Sequence, residues 1–455
     1  MGRKSHAQRL TIWLNGIPVG YWETSHGRHA LSYFDEWLAD EQVRPLSLSL
    51  PVTPQNASHH GAVVGNYFDN LLPDSEAIRR RIARHFNTDG IEPYQLLAAI
   101  GRDCVGAIQL LPGDEVPQNL FSITGESLSE GEVAAILRNA TSERPLGQHD
   151  DEIDLRLSIA GAQEKSALLK HEGQWHRPTG STPTTHIFKL PMGLVGAMRA
   201  DMRTSVENEW LCAQLVHAFG LPIAPCEIAW FDGVKVLIVE RFDRRLANDA
   251  SWIVRLPQED FCQATGTSPL RKYQADGGPG ITKVMDILLG SENAKVDRVQ
   301  FFKTQIVFWL LAATDGHAKN FSIFHLPQSR FTATPLYDVL SAHPVLGSGP
   351  NHVAVQRAKL AMAVRGVENH YHLQQVQRRH WTRHALLAGL GAAAAETIID
   401  ELVTVAGDVV AAVYRRLPLE FPKDLADAIL GGVIHQSERL RRIVTSFEIL
   451  GSPGR

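Results

Sequence analysis

The sequence predicts an α+β protein, strand-rich in its first half and mostly helical in its second. Three observations carry this. The chain opens with β-type apolar runs around an Asn-Gly turn. A middle stretch places three short apolar runs around one helix. Beyond Arg255 the apolar spacing is helical almost to the end. Period-2 and period-3.6 patterns report strands and helices respectively.

In order, Arg9–Leu14 is β-rich, Asn15-Gly16 is a two-residue hairpin signal and Val19–Trp22 follows. Pro45-Leu-Ser-Leu-Ser-Leu-Pro51 alternates apolar and small polar residues, as a half-buried strand does. Pro73-Asp74-Ser75 starts a helix to about Phe86, with Ile78 and Ile82 on one face. Ser129 and Glu132 form a capping box before Val133–Leu137. The polar stretch Thr141–Glu152 lacks periodicity and is the best candidate boundary. Ser166–Leu169, His186–Leu190 and Val234–Val239 read as strands, and Val206–Phe219 as a helix that Gly220 ends. Ile281–Leu289, Val299–Ala313, Leu386–Val413 and Leu425–Ile449 read as helices.

The chain has 455 residues with 45 Lys+Arg against 49 Asp+Glu, a balance that excludes a polybasic nucleic-acid protein but not a local basic patch. Its length suggests two to four domains or sub-domains. Cys104, Cys212, Cys226 and Cys262 make no C-x-x-C pair, which argues against a zinc ribbon or a disulfide scaffold. The longest apolar run, Ala385–Ala395, has 11 residues, short of the ~20 that span a bilayer. With no signal-like N-terminus, a cytoplasmic protein without a membrane segment is expected.

The stretch most informative about chemistry is Thr314-Asp315-Gly316-His317-Ala318-Lys319-Asn320-Phe321, directly after an apolar helix. Asp315 and Asn320 stand five positions apart, and Asp338 follows 18 residues after Asn320. Phosphoryl transfer needs a carboxylate for the attacking hydroxyl, and an amide oxygen plus a second carboxylate for Mg²⁺. The D-x-x-x-x-N spacing alone also fits a capped turn after a core helix. Lys189, in the apolar strand His186–Leu190, needs an anionic partner or a route to water. Glu209 is the first candidate partner and Glu207 the second. The loop Leu157–Ser166 has small residues that let backbone N–H groups approach a phosphate, but an ordinary hairpin turn fits it too. His380 and His384 have i, i+4 metal-ligand spacing without a third ligand, so core or surface roles are expected. Arg79–Arg81 with Arg84, Arg378–Arg379 with Arg383, and Arg439 with Arg441 and Arg442 read as solvated or ion-paired faces that could also meet a phosphate backbone. Cys104 and Cys262 read as buried structural residues, and Lys319 is assigned no role.

The ordered segments PLSLSLP, NYFDNLLPDS, IGRDCVGA, SIAGAQEK, PTTHIFKLP, VERFDRR, LPQEDFCQ, DGGPG, ATDGHAKNFS and YDVLSA resemble the HipA family of bacterial serine/threonine kinases over roughly residues 9–445. The resemblance implies a two-lobed protein-kinase-like fold related to phosphoinositide kinases. It adds an N-terminal α/β sub-domain (1–145) to ATP-binding strands and helix (146–250) and a helical lobe with the catalytic loop (251–455). It implies ATP and Mg²⁺ as cofactors and Asp315 as the catalytic aspartate. Asn320 and Asp338 would be the metal ligands. Ile159, Gly161, Lys189, Glu240, Phe242 and His317 would bind ATP, and Ser158 would be the autophosphorylation site. It further implies a toxin that phosphorylates a translation component such as an aminoacyl-tRNA synthetase, causing growth arrest and persistence. The implied partners are a small helix-turn-helix antitoxin dimer (HipB-like) and, mainly through it, operator DNA. A lipid or small-molecule kinase, or a corepressor with little kinase activity, are the alternative readings.

Overall fold

The structure is a computed structural model and describes residues 8–141, 163, 165–196 and 199–441. Ser158, Ile159 and Gly161 lie outside these residues.

The N-terminal unit is built on a five-stranded antiparallel sheet in the order His59–His60, Arg28–Tyr33, Ile17–Ser25, Gln8–Leu14, Ile108–Pro112. Asn15 and Gly16 have φ of 48° and 85°, the pair of left-handed conformations that a type I′ hairpin turn requires. The sheet buries Leu10, Ile12, Trp22 and Leu31 against the helices Ala62–Asp69 and Pro93–Ile100. Trp22 stacks flat on Phe68 with ring centroids 4.0 Å apart. Ser75 caps the next helix, Glu76–His85, by accepting from the Ile78 amide.

Pro45–Pro51 is not a strand. Its Leu50 amide closes a turn onto the Ser47 carbonyl, and the Tyr33 hydroxyl ties its two ends by donating to the Leu50 carbonyl and accepting from the Leu46 amide. The Ser47 and Ser49 hydroxyls both donate to the Gln263 carbonyl, and the Leu48 amide donates to Glu259 Oε1. Leu46 and Leu50 enter the N-terminal core, whereas Leu48 packs on the core of the helical lobe. The alternation is therefore real but reflects a segment wedged between two cores. Serine side chains that bond to a neighbouring backbone compete with a ladder in this way.

A second antiparallel sheet of six strands follows the order Cys226–Phe231, Val234–Glu240, His186–Lys189, Lys165–His171, Gln174–Pro178, Gly125–Leu128. The helix Ser205–Ala218 and the segment after it bring Val206, Trp210 and Ala224 onto Leu237 and Val239. The helix Glu130–Thr141 covers the sheet with Val133, Ile136 and Leu137 on Leu168, Phe188 and Ile238. The Ser129–Glu132 capping box is present. The strand Gly125–Leu128 and the helix Glu130–Thr141 thus pack with this sheet rather than with the five-stranded one.

The helical lobe is organised around Ala294–Leu310, whose Phe302, Ile306, Trp309 and Leu310 lie in one core with Trp381, Ile399, Leu402 and Val433. The pattern over Leu386–Val413 is two helices rather than one, Arg378–Leu387 and Ala392–Tyr414. Gly389 and Gly391, with φ of 69° and 93°, break it. The last described helix is Lys423–Leu440. Cys104, Cys212 and Cys262 are buried and all four thiols are free. Among the described residues no helix is long and apolar enough to cross a membrane.

A buried charge network joins the N-terminal unit to the rest. Asp103 accepts from the Thr184 hydroxyl at 2.7 Å and pairs with Arg244 at 2.9 Å, and with Arg241 and Arg255 at 3.4 Å each. Asp243 pairs with Arg241 at 2.8 Å and Arg244 at 3.0 Å and accepts from the Gly106 amide. Arg241 and Arg244 also donate to the Cys104 carbonyl. The three guanidiniums hold the Asp103 carboxyl far below the usual carboxylate range against a large burial penalty. Removing one member of a buried network strands the others uncompensated, at a cost of about 3–5 kcal/mol. Asp103→Ala is expected to lower the unfolding free energy by about that amount in denaturant titration. A loss under about 1 kcal/mol would show that the network does not join the units.

Candidate functional site

Between the six-stranded sheet and the helical lobe lies a cleft. Its roof is the strand His186–Lys189 and its neighbours. Lys189 is buried, with Nζ 2.5 Å from Glu209 on the helix Ser205–Ala218. Glu207, the second candidate partner, instead pairs with Lys235. Lys189 also contacts Asp338, and Lys165, at the start of its own strand, reaches the other Asp338 oxygen at 3.1 Å. Two ammoniums thus face two carboxylates. Burial pushes the Lys189 ammonium down to about 8, against the pull of Glu209.

The floor is the loop after the helix Ala294–Leu310. Gly316 lies so close to Phe308 that a Cβ there would come within 2.6 Å of its ring, which explains a glycine between Asp315 and His317. The Asn320 amide nitrogen donates to the Asp315 carbonyl at 2.9 Å and the Asp338 carbonyl at 3.4 Å. This fixes the amide and leaves its oxygen as the atom able to take a cation. Asp338 has φ 56°, a left-handed conformation uncommon outside glycine that Asp tolerates better than most residues. Two backbone bonds, Leu336 amide to Pro222 carbonyl and Ala224 amide to Leu336 carbonyl, hold the segment before it.

Asp315 is largely exposed. Its Oδ1 accepts from the Tyr273 hydroxyl at 2.5 Å and lies 3.9 Å from His317 Nε2. Burial pushes His317 down to about 4, so its ring is neutral near pH 7, and its Nδ1 is buried with no hydrogen-bond partner among the described residues. Glu240 and Phe242 line the cleft, Phe242 packing edge-on to Phe324 and tilted against Tyr337. The fold therefore brings Lys189, Glu209, Glu240, Phe242, His317, Asn320 and Asp338 together, with Asp315 joined to them through Asn320.

Sequence reasoning missed five contributors. Lys165 stands next to last in the small-residue loop Leu157–Ser166, where its charge carried no motif signal. Tyr273 carried no motif signal. Lys319 is buried and lines the cleft, with Nζ 2.6 Å from Asp74. Lys272 reaches the other Asp74 oxygen at 2.7 Å. Asp74 stands inside NYFDNLLPDS, where only its helix-start meaning was legible. His380 and His384, by contrast, serve packing. His384 Nδ1 accepts from the Arg365 amide and His370 stacks on His380 at 3.9 Å. Among the described residues no three His, Cys, Asp or Glu side chains cluster as a metal site. Mg²⁺ needs fewer protein ligands, since it keeps waters and takes substrate phosphate oxygens beside one or two side chains. The Asp338 carboxylate and the Asn320 oxygen fit that requirement, and the lysines now on Asp338 show that the spot favours positive charge.

A cleft of this kind, with lysines above and an Asp–Asn loop below, lying between a sheet lobe and a helical lobe, belongs to an enzyme of the kinase class. Comparison with known proteins gives the family. Residues 157–410 match the HipA-like C-terminal domain and residues 10–111 the HipA N-terminal domain. A Sinorhizobium fredii protein named as a kinase (Y4mE) is 33% identical over 415 residues, 89% of this chain and 92% of that protein. The serine/threonine-protein kinase toxin HipA of Shewanella oneidensis is 29% identical over 354 residues, 74% of this chain and 76% of that protein. A solved complex of Shewanella oneidensis HipA, HipB and operator DNA contains a chain that superposes with a TM-score of 0.75 at 22% identity, covering 95% of this chain and 97% of that one. The chain belongs to the HipA family.

Asp74 offers a test of the lower cleft. Lys319 and Lys272 hold its carboxyl down to about 2, below its ordinary 3.8, despite burial. A depressed carboxylate stabilises above its unfolded pKa and loses that contribution as pH falls through the folded one. Asp74→Asn is therefore expected to cost about 2 kcal/mol near pH 6, the difference from wild type vanishing between about pH 4 and 2. Unfolding titrations of both proteins across that range measure it. A difference independent of pH would place the effect elsewhere.

Proposed function

We propose that the protein is an ATP- and Mg²⁺-dependent serine/threonine kinase acting as the toxin of a toxin–antitoxin pair. The observation that supports this most is the Lys189–Glu209 pair set over Asp338 and Asn320 in one cleft. Lys189 and Lys165 would hold nucleotide phosphates. Phe242 and the backbone around Glu240 would border the adenine, a planar base suited to apolar and backbone contacts. Neutral His317 lies beside the phosphate end. Asn320 and Asp338 would hold Mg²⁺, which, when bound, neutralises charge on the phosphate oxygens. Asp315, exposed and oriented by Tyr273, would accept the proton of an incoming serine or threonine hydroxyl as its oxygen attacks phosphorus.

The toxin role, growth arrest through a translation component such as an aminoacyl-tRNA synthetase, and a cytoplasmic site of action rest on the family. So do a HipB-like helix-turn-helix antitoxin partner and contact with operator DNA through it, in keeping with the Shewanella complex. Autophosphorylation of Ser158 would add about −1.5 to −2 charge near the ATP phosphates and switch the kinase off.

Phosphosite mass spectrometry tests this directly. Phosphatase-treated protein with Mg²⁺-ATP is expected to gain phosphate on Ser158, and Asp315→Ala is expected to gain none while still binding ATP. Asp338→Ala is expected to lose Mg²⁺-dependent ATP binding. Phosphate transfer by Asp315→Ala would overturn the catalytic assignment. ATP binding by the wild type with no protein phosphorylated would favour a small-molecule kinase or a corepressor.

A further inference from the structure

Two lysine pairs border the cleft, the second lining it through Lys319, and they are not charge-balanced alike. In the upper group Lys189 and Lys165 face Glu209 and Asp338, two against two. In the lower group Lys319 and Lys272 share the single carboxylate of Asp74, at 2.6 and 2.7 Å. The Lys319, Lys272 and Asp74 side chains are only 3%, 13% and 14% exposed. One positive charge of this trio therefore has no opposing charge within it, in a setting where an unpaired charge is costly. The next carboxyl, Asp260, also lines the cleft and caps a short helix by accepting from the Gln263 amide. Burial pushes it up to about 7, so it supplies at most part of a charge at neutral pH. Tyr337 offers no charge either, since it donates its hydroxyl to the Lys319 carbonyl.

The position of the trio is as telling as its charge. Lys319 immediately precedes Asn320, and Lys272 immediately precedes Tyr273, whose hydroxyl bonds Asp315. The trio is thus tied along the chain to the two residues that bracket the transfer. Asp74 comes from the N-terminal unit, outside both kinase lobes.

We infer that Lys319 and Lys272, clamped by Asp74, form a second anion subsite of the cleft, and that it takes the γ-phosphoryl group of the nucleotide. This rests on reading the cleft as a nucleotide site. As the acceptor oxygen bonds to phosphorus, the bond to the ADP oxygen breaks and the hydroxyl proton passes to Asp315. The surplus ammonium charge then faces the oxygens of the group in flight. Lys319 acts by touching the phosphoryl group. Asp74 is a positioning residue, acting through the two lysines. The N-terminal unit thereby supplies part of the phosphate site.

The test compares two ligands on the full-length chain by calorimetry, Mg²⁺-ADP and a non-hydrolysable ATP analogue with an imido bridge. Lys319→Met leaves Asp74 paired one-to-one with Lys272, so it should fold, and thermal unfolding checks that. It is expected to bind the analogue about tenfold more weakly, the size of one charge-assisted hydrogen bond, while ADP affinity is unchanged. Its kcat is expected to fall further than its KM rises, and Lys319→Arg to recover part of both. Asp74→Asn removes the shared carboxylate while keeping both ammoniums. It is expected to keep or increase the preference for the analogue over ADP while kcat falls. If Lys319→Met and Asp74→Asn weaken ADP and the analogue in parallel, or affect neither, the trio is structural and the inference fails. If the wild type binds neither ligand, it is the nucleotide reading of the cleft that fails.

Discussion

The interaction on which most of the architecture depends is the buried Asp103–Asp243 network with its three arginines. Its anions come one from each side of the junction, and its guanidiniums all come from the segment leaving the last strand of the six-stranded sheet. Arg241 and Arg244 lie just beyond Glu240 and beside Phe242, so the same chain turn that borders the cleft is locked to the N-terminal unit. Ion networks this deep offer little net stability compared with apolar packing, but separating any member from its partners leaves buried charge uncompensated. That penalty fixes the angle between unit and cleft, and so places Asp74 against the catalytic loop.

This junction also shows what was and was not legible in the sequence. IGRDCVGA and VERFDRR stood out as separate motifs, and nothing in either said that Asp103 and Arg244 answer each other across 141 positions. Features set by local rules were readable. Asn15-Gly16 demanded its turn, Ser129 and Glu132 capped their helix, and Lys189 in an apolar strand called for an acidic partner one helix away. Features set by long-range complementarity were not readable. The serines of Pro45–Pro51 have the period of a strand, yet their hydroxyls are satisfied by Gln263, more than 200 residues on. Lys319 looked idle because its partner, Asp74, is 245 positions away.

The site follows the same division. The Asp315-to-Asn320 spacing is a local fact, because one glycine-bearing turn packed on Phe308 sets both side chains. The charge inventory of the cleft is a global one. It draws on the N-terminal unit, on two strands and one helix of the sheet lobe, and on three loops of the helical lobe, and its balance becomes visible only when they are assembled. Lysines are well suited to such a place, since each ammonium is a compact charge on a flexible stem that can move from carboxylate to phosphate.

The strand Gly125–Leu128 and helix Glu130–Thr141 have a consequence for how the chain is made. Both emerge from the ribosome before any of the sheet they complete. Val133, Ile136 and Leu137 cover Leu168, Phe188 and Ile238, which are synthesised from about 30 to about 100 residues later. The five-stranded N-terminal sheet, by contrast, is complete once Pro112 has appeared. Domains generally fold as units, N-terminal first, during synthesis. Birth of the polypeptide is thus biphasic, with an early globule trailing an amphipathic stretch that waits, exposed, for the rest of the enzyme.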